Sequence, residues 1–238
     1  MSQSDPDLFD QENLALFAAR EVHDNNAGDA ASYRAALGEL ITCYERLLRE
    51  TRRLIRRSDR EEFEMNQLNS RLNELASELE YRATHDSLTN TLNRGAVIAR
   101  ANRMLRENGL ALIVLDIDFF KQVNDCFGHL VGDAVICGVV KAVAKCVPQT
   151  GVIGRVGGEE FTVLLSDCDG DRAFQLAQQM RATIADWNFS LPGTHPITAS
   201  FGVSWTPAGA DFSIAYGAAD EALYKAKHSG RNCVMRAD

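Results

Sequence analysis

From Tyr33 onward the chain repeats apolar positions in alternating steps of four and three. They are Tyr33, Leu37, Leu40, Tyr44, Leu47, Thr51, Leu54, Ser58, Glu61, Met65, Leu68, Leu72, Leu75 and Leu79. Only Thr51, Ser58 and Glu61 break the stripe, and its phase never slips. A period of about 3.5 residues keeps one seam facing a partner helix, so residues 31–83 are predicted to form a coiled-coil stalk. Apart from Gly38, no Gly or Pro interrupts 33–84. The weak middle, Thr51 to Glu61, marks a bend or a register-setting point. A second stripe, Ile41, Leu48 and Ile55, widens the face of the first half. That width suits a folded-back N-terminal helix, a four-helix bundle or another protein. Residues 65–79 keep the narrow seam of a two-stranded coil.

The pattern changes after residue 84. LALIVLD (110–116) is a short apolar run that reads as a buried strand ending in a carboxylate. Val135, Val139, Val143 and Val147 recur at four-residue spacing, which predicts a helix over 129–147. VIGRVGGEEFTVLLS reads as a hairpin about Gly157-Gly158, a pair that tolerates positive φ. DRAFQLAQQMRATIADW and DFSIAYGAADEALYKAKHSG read as helices, and ITASFGVSW and NCVMR as strands. The fold class expected is α+β, a central, mostly antiparallel sheet flanked by helices and preceded by the helical stalk. The domains expected are an acidic segment over 1–30, the stalk over 31–83 and a globular domain over 84–238.

Composition narrows the function. With 238 residues, 45% of them hydrophobic, the chain can bury a core, and its length suits one domain with an extension. A net charge of −8 argues against a general nucleic-acid binder. It leaves room for phosphate chemistry in which metal ions neutralise the acids. No run approaches the ~20 apolar residues of a membrane span. The start, MSQSDPDLFDQEN, lacks the basic-then-apolar order of a signal peptide, so a cytoplasmic protein is expected. Six scattered cysteines without a C-x-x-C pair read as reduced thiols. Leu8, Phe9, Leu14, Leu16 and Phe17 make a short docking helix or a frayed tail. Seven arginines (46, 49, 52, 53, 56, 57 and 60) form either a solvated helix face or a patch for an acidic surface, the protein's own N-terminus included.

Two stretches carry chemistry. In LDIDFFKQVND a strand delivers Asp116 where the chain leaves the sheet, with Asp118 two residues on. Mg²⁺ takes one or two carboxylates together with phosphate oxygens and water, so D-x-D here reads as a cation site or as a helix cap. In Gly157-Gly158-Glu159-Glu160-Phe161, adjacent acids flank a turn that leaves space for a ligand near the backbone. If this hairpin tip lies beside the end of the Asp116 strand, the carboxylates gather around one or two Mg²⁺ ions, as phosphoryl or nucleotidyl transfer requires.

Together DIDFFKQVND, FGHLVGD, RVGGEEF and YKAKHSGRN, with the opening HDSLTNTLNR, resemble the GGDEF family of diguanylate cyclases over residues 84–238. The resemblance implies a GTP-condensing homodimer or higher oligomer. Asp116, the carbonyl of Ile117, Glu159 and Glu160 match its metal positions for two Mg²⁺ (or Mn²⁺) ions, with Glu159 as the catalytic proton acceptor. Asn124, His129 and Asp133 match substrate-contacting positions, with Asn124 and Asp133 on the guanine edge. An Asp there accepts from N1–H and N2–H of guanine but finds only an acceptor at N1 of adenine, so GTP is implied. Phe119, Phe120 and Lys121 match the phosphate-holding segment, and Lys227 and Arg231 the distal basic pair. A stalk joined directly to a cyclase domain resembles the SiaD type within the family. It implies that an activating protein docks around residues 33–60. One departure is evident. The family's product-inhibition motif R-x-x-D is replaced by Pro148, Gln149, Thr150 and Gly151, so feedback through that site is not expected. Three other readings compete: a silent GTP receptor, a helical scaffold, and an adenylyl cyclase or polymerase palm. The retained acids, the several phosphate-site motifs and Asp133 weigh against them.

Overall fold

The computed structural model describes residues 9–24, 29–189 and 196–237. The chain divides into two compact units between Ala76 and Ser77. In the first, helix α1 (Asp10–Asp24) folds back along the start of α2 (Ala30–Thr84). Small residues make the approach feasible. Ala15 of α1 is buried, and Leu14 and Ala18 face Ala35, Gly38 and Cys43 across a shallow groove. Glu12 and Gln11 accept from Arg46, with Nε at 3.0 Å from Glu12 Oε1. The acidic segment therefore forms a docked helix, and one of the seven arginines meets it. Leu8 of the expected apolar cluster lies outside the described residues. Arg49, Arg57 and Arg60 pair instead within α2, with Glu45, Glu61 and Glu64. Among the described residues Arg52, Arg53 and Arg56 have no acidic partner.

α2 runs without interruption through Thr51–Glu61 and buries none of its residues. Leu54, Leu68, Leu72 and Leu79 of the seam are each about 60% exposed. A helix of this length with an open apolar stripe draws little stability from its own packing, and its intrahelical ion pairs contribute only about 0.2–0.5 kcal/mol each.

The second unit is built on a six-stranded sheet. In chain order it contains β1 (Leu92–Asn93), α3 (Arg94–Glu107), β2 (Leu110–Ile117), α4 (Phe120–Phe127), α5 (His129–Cys146), β3 (Val152–Arg155), β4 (Glu160–Ser166), α6 (Gly170–Ala185), β5 (Ala199–Thr206), α7 (Phe212–His228) and β6 (Val234–Arg236). Strand order is β1-β3-β4-β2-β5-β6. The four central strands are antiparallel, and both edges, β1 on β3 and β6 on β5, are parallel. The mostly antiparallel sheet is as the sequence predicts. The parallel edges and helices α3 and α4 are additions that its periodicity did not reveal.

β2 is buried at all eight positions, so the sheet is covered on both faces. Ile113, Leu115, Val139, Val143, Phe161, Met180 and Ile184 fill the side under α5 and α6. Val97, Leu105, Leu112, Val114, Leu164, Ala219 and Leu223 fill the side under α3 and α7. Alternation along β2 then assigns Asp116, two residues after Val114, to the α7 side. Gly202 of β5 brings α7 close: a Cβ there would stand 1.9 Å from the Ala219 carbonyl and 2.4 Å from Leu223 N. The cysteines are all free, and among the described residues no helix is long and apolar enough to cross a membrane.

Candidate active site

The antiparallel register of β2 and β4 sets Asp116 opposite Glu160. Past the register pair, Ile117 N–H donates to the Glu159 carbonyl at 3.3 Å. Asp116 near the end of β2, Glu160 at the start of β4 and Glu159 just before it thus lie at one end of the sheet. Asp116 is 6% exposed, and Glu159 and Glu160 are half-buried. Burial pushes the Asp116 carboxyl above its ordinary value, against the pull of Lys227. Burial, and then the charge of Asp116, push Glu159 upward as well. Lys227, in the last turn of α7, places Nζ 2.9 Å from Asp116 Oδ2. The residue expected on a triphosphate therefore neutralises the buried acid here. Among the described residues no group of three His, Cys, Asp or Glu side chains is placed to hold a metal ion. The donors nevertheless suit Mg²⁺: all are hard oxygens, and the raised carboxyls mark negative charge that a cation relieves.

The Gly157-Gly158 turn differs from the expected positive-φ pair. Neither glycine has positive φ. Val156 and Gly157 N–H both point to the Glu160 carbonyl, at 3.0 and 3.4 Å, so the loop is wider than a two-residue hairpin. At Gly157 a Cβ would stand 2.6 Å from Glu160 Oε2, so any larger residue would make the Glu160 carboxylate shift. Arg155 clamps the loop from below. Its Nε and Nη2 donate to the Gly158 carbonyl at 3.1 and 2.6 Å, and its Nη1 to Asp86 Oδ1 at 3.1 Å. Burial works against the Asp86 charge, but donors from Thr89 and Arg155 hold its carboxyl below the usual range. Arg155→Ala removes both donors to the Gly158 carbonyl and the cation beside a partly buried carboxylate, which keeps only its Thr89 donors. It is expected to lower stability by about 2 kcal/mol and loosen the acidic loop, which a denaturant melt reads directly.

Beyond β2 the chain turns sharply. Phe119 adopts a left-handed conformation (φ 56°), and no side chain caps the start of α4. Uncapped N-terminal amides at Phe119, Phe120 and Lys121 suit an anion. Phe120 is buried and anchors the turn, whereas Lys121 is exposed. The Arg231 guanidinium lies 4.3 Å from the centre of the exposed Phe119 ring. Asn124 is half-buried against α5, where Gly132 makes room for it; a Cβ at 132 would stand 2.0 Å from Asn124 Oδ1. His129 and Asp133 are exposed on the first turns of α5. Side-chain contacts thus join Asp116 with Lys227 and Phe119 with Arg231. Lys121, His129 and Asp133 contact none of the other expected site residues by hydrogen bond or ion pair. Asp118 departs from the D-x-D reading: it is 5% exposed and accepts from Thr198, Ser200 and Asn232. Sequence reasoning read Asp118 only within a cation site or helix cap and gave Arg155 no role of its own, because their partners lie far away along the chain.

The family model described as "Diguanylate cyclase, GGDEF domain" matches residues 83–233, which span every element of this site. The chain belongs to the GGDEF family. A diguanylate cyclase of Vibrio cholerae serotype O1 is 41% identical over 174 residues, covering 68% of this chain and 53% of that protein. The chain therefore spans about half the length of that GGDEF relative. Two solved structures extend the likeness toward the helices. The coiled coil and GGDEF domain of DgcB from Caulobacter crescentus, in complex with c-di-GMP, aligns with a TM-score of 0.69 and 29% identity, covering 73% of this chain and 96% of that one. The diguanylate cyclase SiaD of Pseudomonas aeruginosa, in complex with its activator SiaC, aligns with a TM-score of 0.63 and 29% identity over 97% of this chain and 88% of that one.

The raised carboxyls at this GGDEF site have a consequence for stability. Asp116 takes up its proton more readily folded than unfolded, so its ionisation disfavours the fold above its folded pKa and carries no penalty below its unfolded one. Asp116→Asn is expected to raise the melting temperature of the metal-free protein at pH 7.5. That gain shrinks as the pH falls toward 4, and melts at the two pH values check it.

Proposed function

We propose that this chain is a diguanylate cyclase, condensing two GTP into cyclic di-GMP with release of two pyrophosphates. The observation that carries the reading is the register pairing of Asp116 with Glu160, which sets Glu159 beside the same strand end. Glu159, whose carboxyl is raised above its ordinary value, accepts the proton of the GTP 3′-hydroxyl. The freed oxygen bonds to the α-phosphorus of a second GTP, and the bond to the β-phosphate oxygen breaks. Asn124 and Asp133 read the guanine edge. The amides of Phe119, Phe120 and Lys121, the Lys121 ammonium and Arg231 hold the phosphates. Lys227 turns from Asp116 to the triphosphate once that acid is otherwise neutralised. Asp116, Glu159, Glu160 and the Ile117 carbonyl would hold two Mg²⁺ (or Mn²⁺) ions, which supply charge neutralisation of the triphosphate and of the leaving pyrophosphate.

Each domain holds one GTP, and cyclisation needs two facing domains. Residues 31–83 are the dimerising stalk, supported by the uncovered seam of α2 and by the coiled coil named with DgcB. Residues 33–60 receive an activating protein, supported by the open arginine face and by the activator in the SiaD complex. The protein works in the cytoplasm. Incubation with GTP or ATP and Mg²⁺, followed by nucleotide separation, tests the reading. Cyclic di-GMP from GTP alone is expected; a bound but unconverted GTP, or conversion of ATP, contradicts it.

A further inference from the structure

Asp118 is a buried carboxylate with no cationic partner within ion-pair distance among the described residues. Its oxygens are engaged by neutral donors: Oδ1 by Ser200 Oγ at 2.6 Å, and Oδ2 by Thr198 Oγ1 at 2.7 Å and Asn232 N–H at 3.0 Å. Its own N–H donates to the Thr198 carbonyl at 2.9 Å. A buried charge persists only with such a set of donors, and with both oxygens occupied it has little left to offer a metal.

The placement of those bonds is informative. Asp118 directly precedes Phe119 in the chain. Its side chain grips Asn232, the residue directly after Arg231. Phe119, Arg231 and Asn232 all hold left-handed φ values, of 56°, 63° and 42°. Left-handed φ is disfavoured for non-glycine residues and persists where neighbouring contacts over-determine it. The Asp118–Asn232 bond therefore brackets the stacked pair, with the ring of Phe119 on one side and the guanidinium of Arg231 on the other. The loop from Gly230 to Asn232 follows α7 directly, and here it is tied to the end of β2.

We propose that Asp118 is a positioning residue for phosphate binding: it sets the Arg231 guanidinium on Phe119, beside the uncapped start of α4, and is not a metal ligand. The proposal rests on the cyclase reading for its ligand, the GTP phosphates. It gives the second acid of D-x-D a task separate from the first. Asp116 faces Lys227 and the acids, whereas Asp118 orients the arm that meets the triphosphate.

The test is a double-mutant cycle on the full chain. It reads binding of α,β-methylene GTP by calorimetry, GTP turnover, and amide hydrogen exchange at Asn232. Asp118→Asn and Arg231→Ala should each weaken analogue binding about ten-fold, and the double variant should be no more than about two-fold worse than Arg231→Ala alone, because one acts through the other. KM for GTP should rise more than kcat falls. The Mg²⁺ concentration for half-maximal turnover should stay within about two-fold of wild type. Multiplying effects in the double variant, or a shift of about ten-fold or more in the Mg²⁺ requirement, overturns the proposal. Exchange at Asn232 is read without nucleotide and should quicken about ten-fold or more in Asp118→Asn; unchanged exchange also overturns it. If wild type binds no guanine nucleotide, the cyclase reading fails, while the exchange result still decides whether Asp118 holds the loop. Should Asp118→Asn fail to fold, Thr198→Val removes one donor with a near-isosteric side chain. It should weaken binding about three-fold, again without adding to Arg231→Ala, and additivity there overturns the proposal equally.

Discussion

Replacing Glu159 with glutamine is expected to lower cyclic di-GMP formation about a thousand-fold, the middle of the range for losing a positioned general base. The substitution keeps the size and planarity of the side chain but removes its capacity to take a proton. It also removes one negative charge from a cluster in which burial and Asp116 already disfavour ionisation. The melting temperature should therefore stay level or rise, which separates lost chemistry from lost fold. Nucleotide affinity should change far less than turnover, since Asn124, Asp133, Lys121 and Arg231 remain. Chromatographic quantification of cyclic di-GMP, alongside a thermal melt, reads all of this. An output within about ten-fold of wild type removes Glu159 from the role of proton acceptor.

Breaking the seam of α2 should be nearly as damaging. Leu68, Leu72 and Leu75 present 60%, 59% and 40% of their surface to solvent in the single chain. Burying each against a partner helix contributes about 1.5–3 kcal/mol. Leu72→Glu with Leu75→Glu instead places charges in the seam and should leave the protein monomeric at micromolar concentration. On the proposed mechanism one domain carries one GTP and cyclisation needs a facing copy, so turnover should then fall about a hundred-fold. GTP binding and the melt of the globular domain should be unchanged. Joining an independent dimeric coiled coil in phase before Ser77 should restore activity. Light scattering gives the oligomeric state and product assay the rate; a monomer that keeps wild-type turnover contradicts the dimeric mechanism.

Much of this was legible because it is local. The run Leu110–Ile117 has the length and continuous apolarity of a strand covered on both faces, and all its positions are buried. The heptads from Tyr33 to Leu79 coincide with one unbroken helix. The two acids beside glycines follow from the local β3–β4 hairpin, whereas their approach to Asp116 comes from β4 pairing with β2 across the intervening α4, α5 and β3. Other features depend on distant partners. Asp118 looks like a second metal ligand until Thr198, Ser200 and Asn232 arrive from beyond residue 190. Arg155 looks like a surface charge until Asp86, 69 residues earlier, turns it onto the Gly158 carbonyl. Gly157 reads as a positive-φ glycine, whereas its φ is not positive and a Cβ there would meet the end of the Glu160 side chain. The short α4 and the two-residue β1 offer too few turns or alternations for periodicity to register.

The most direct measurement is product stoichiometry in one reaction of the purified chain with GTP and Mg²⁺, followed across a dilution series. Two pyrophosphates are expected for every cyclic di-GMP, with specific activity falling as dilution separates the protomers. Pyrophosphate released without cyclic dinucleotide, or specific activity that persists in the monomer, would contradict the proposed mechanism.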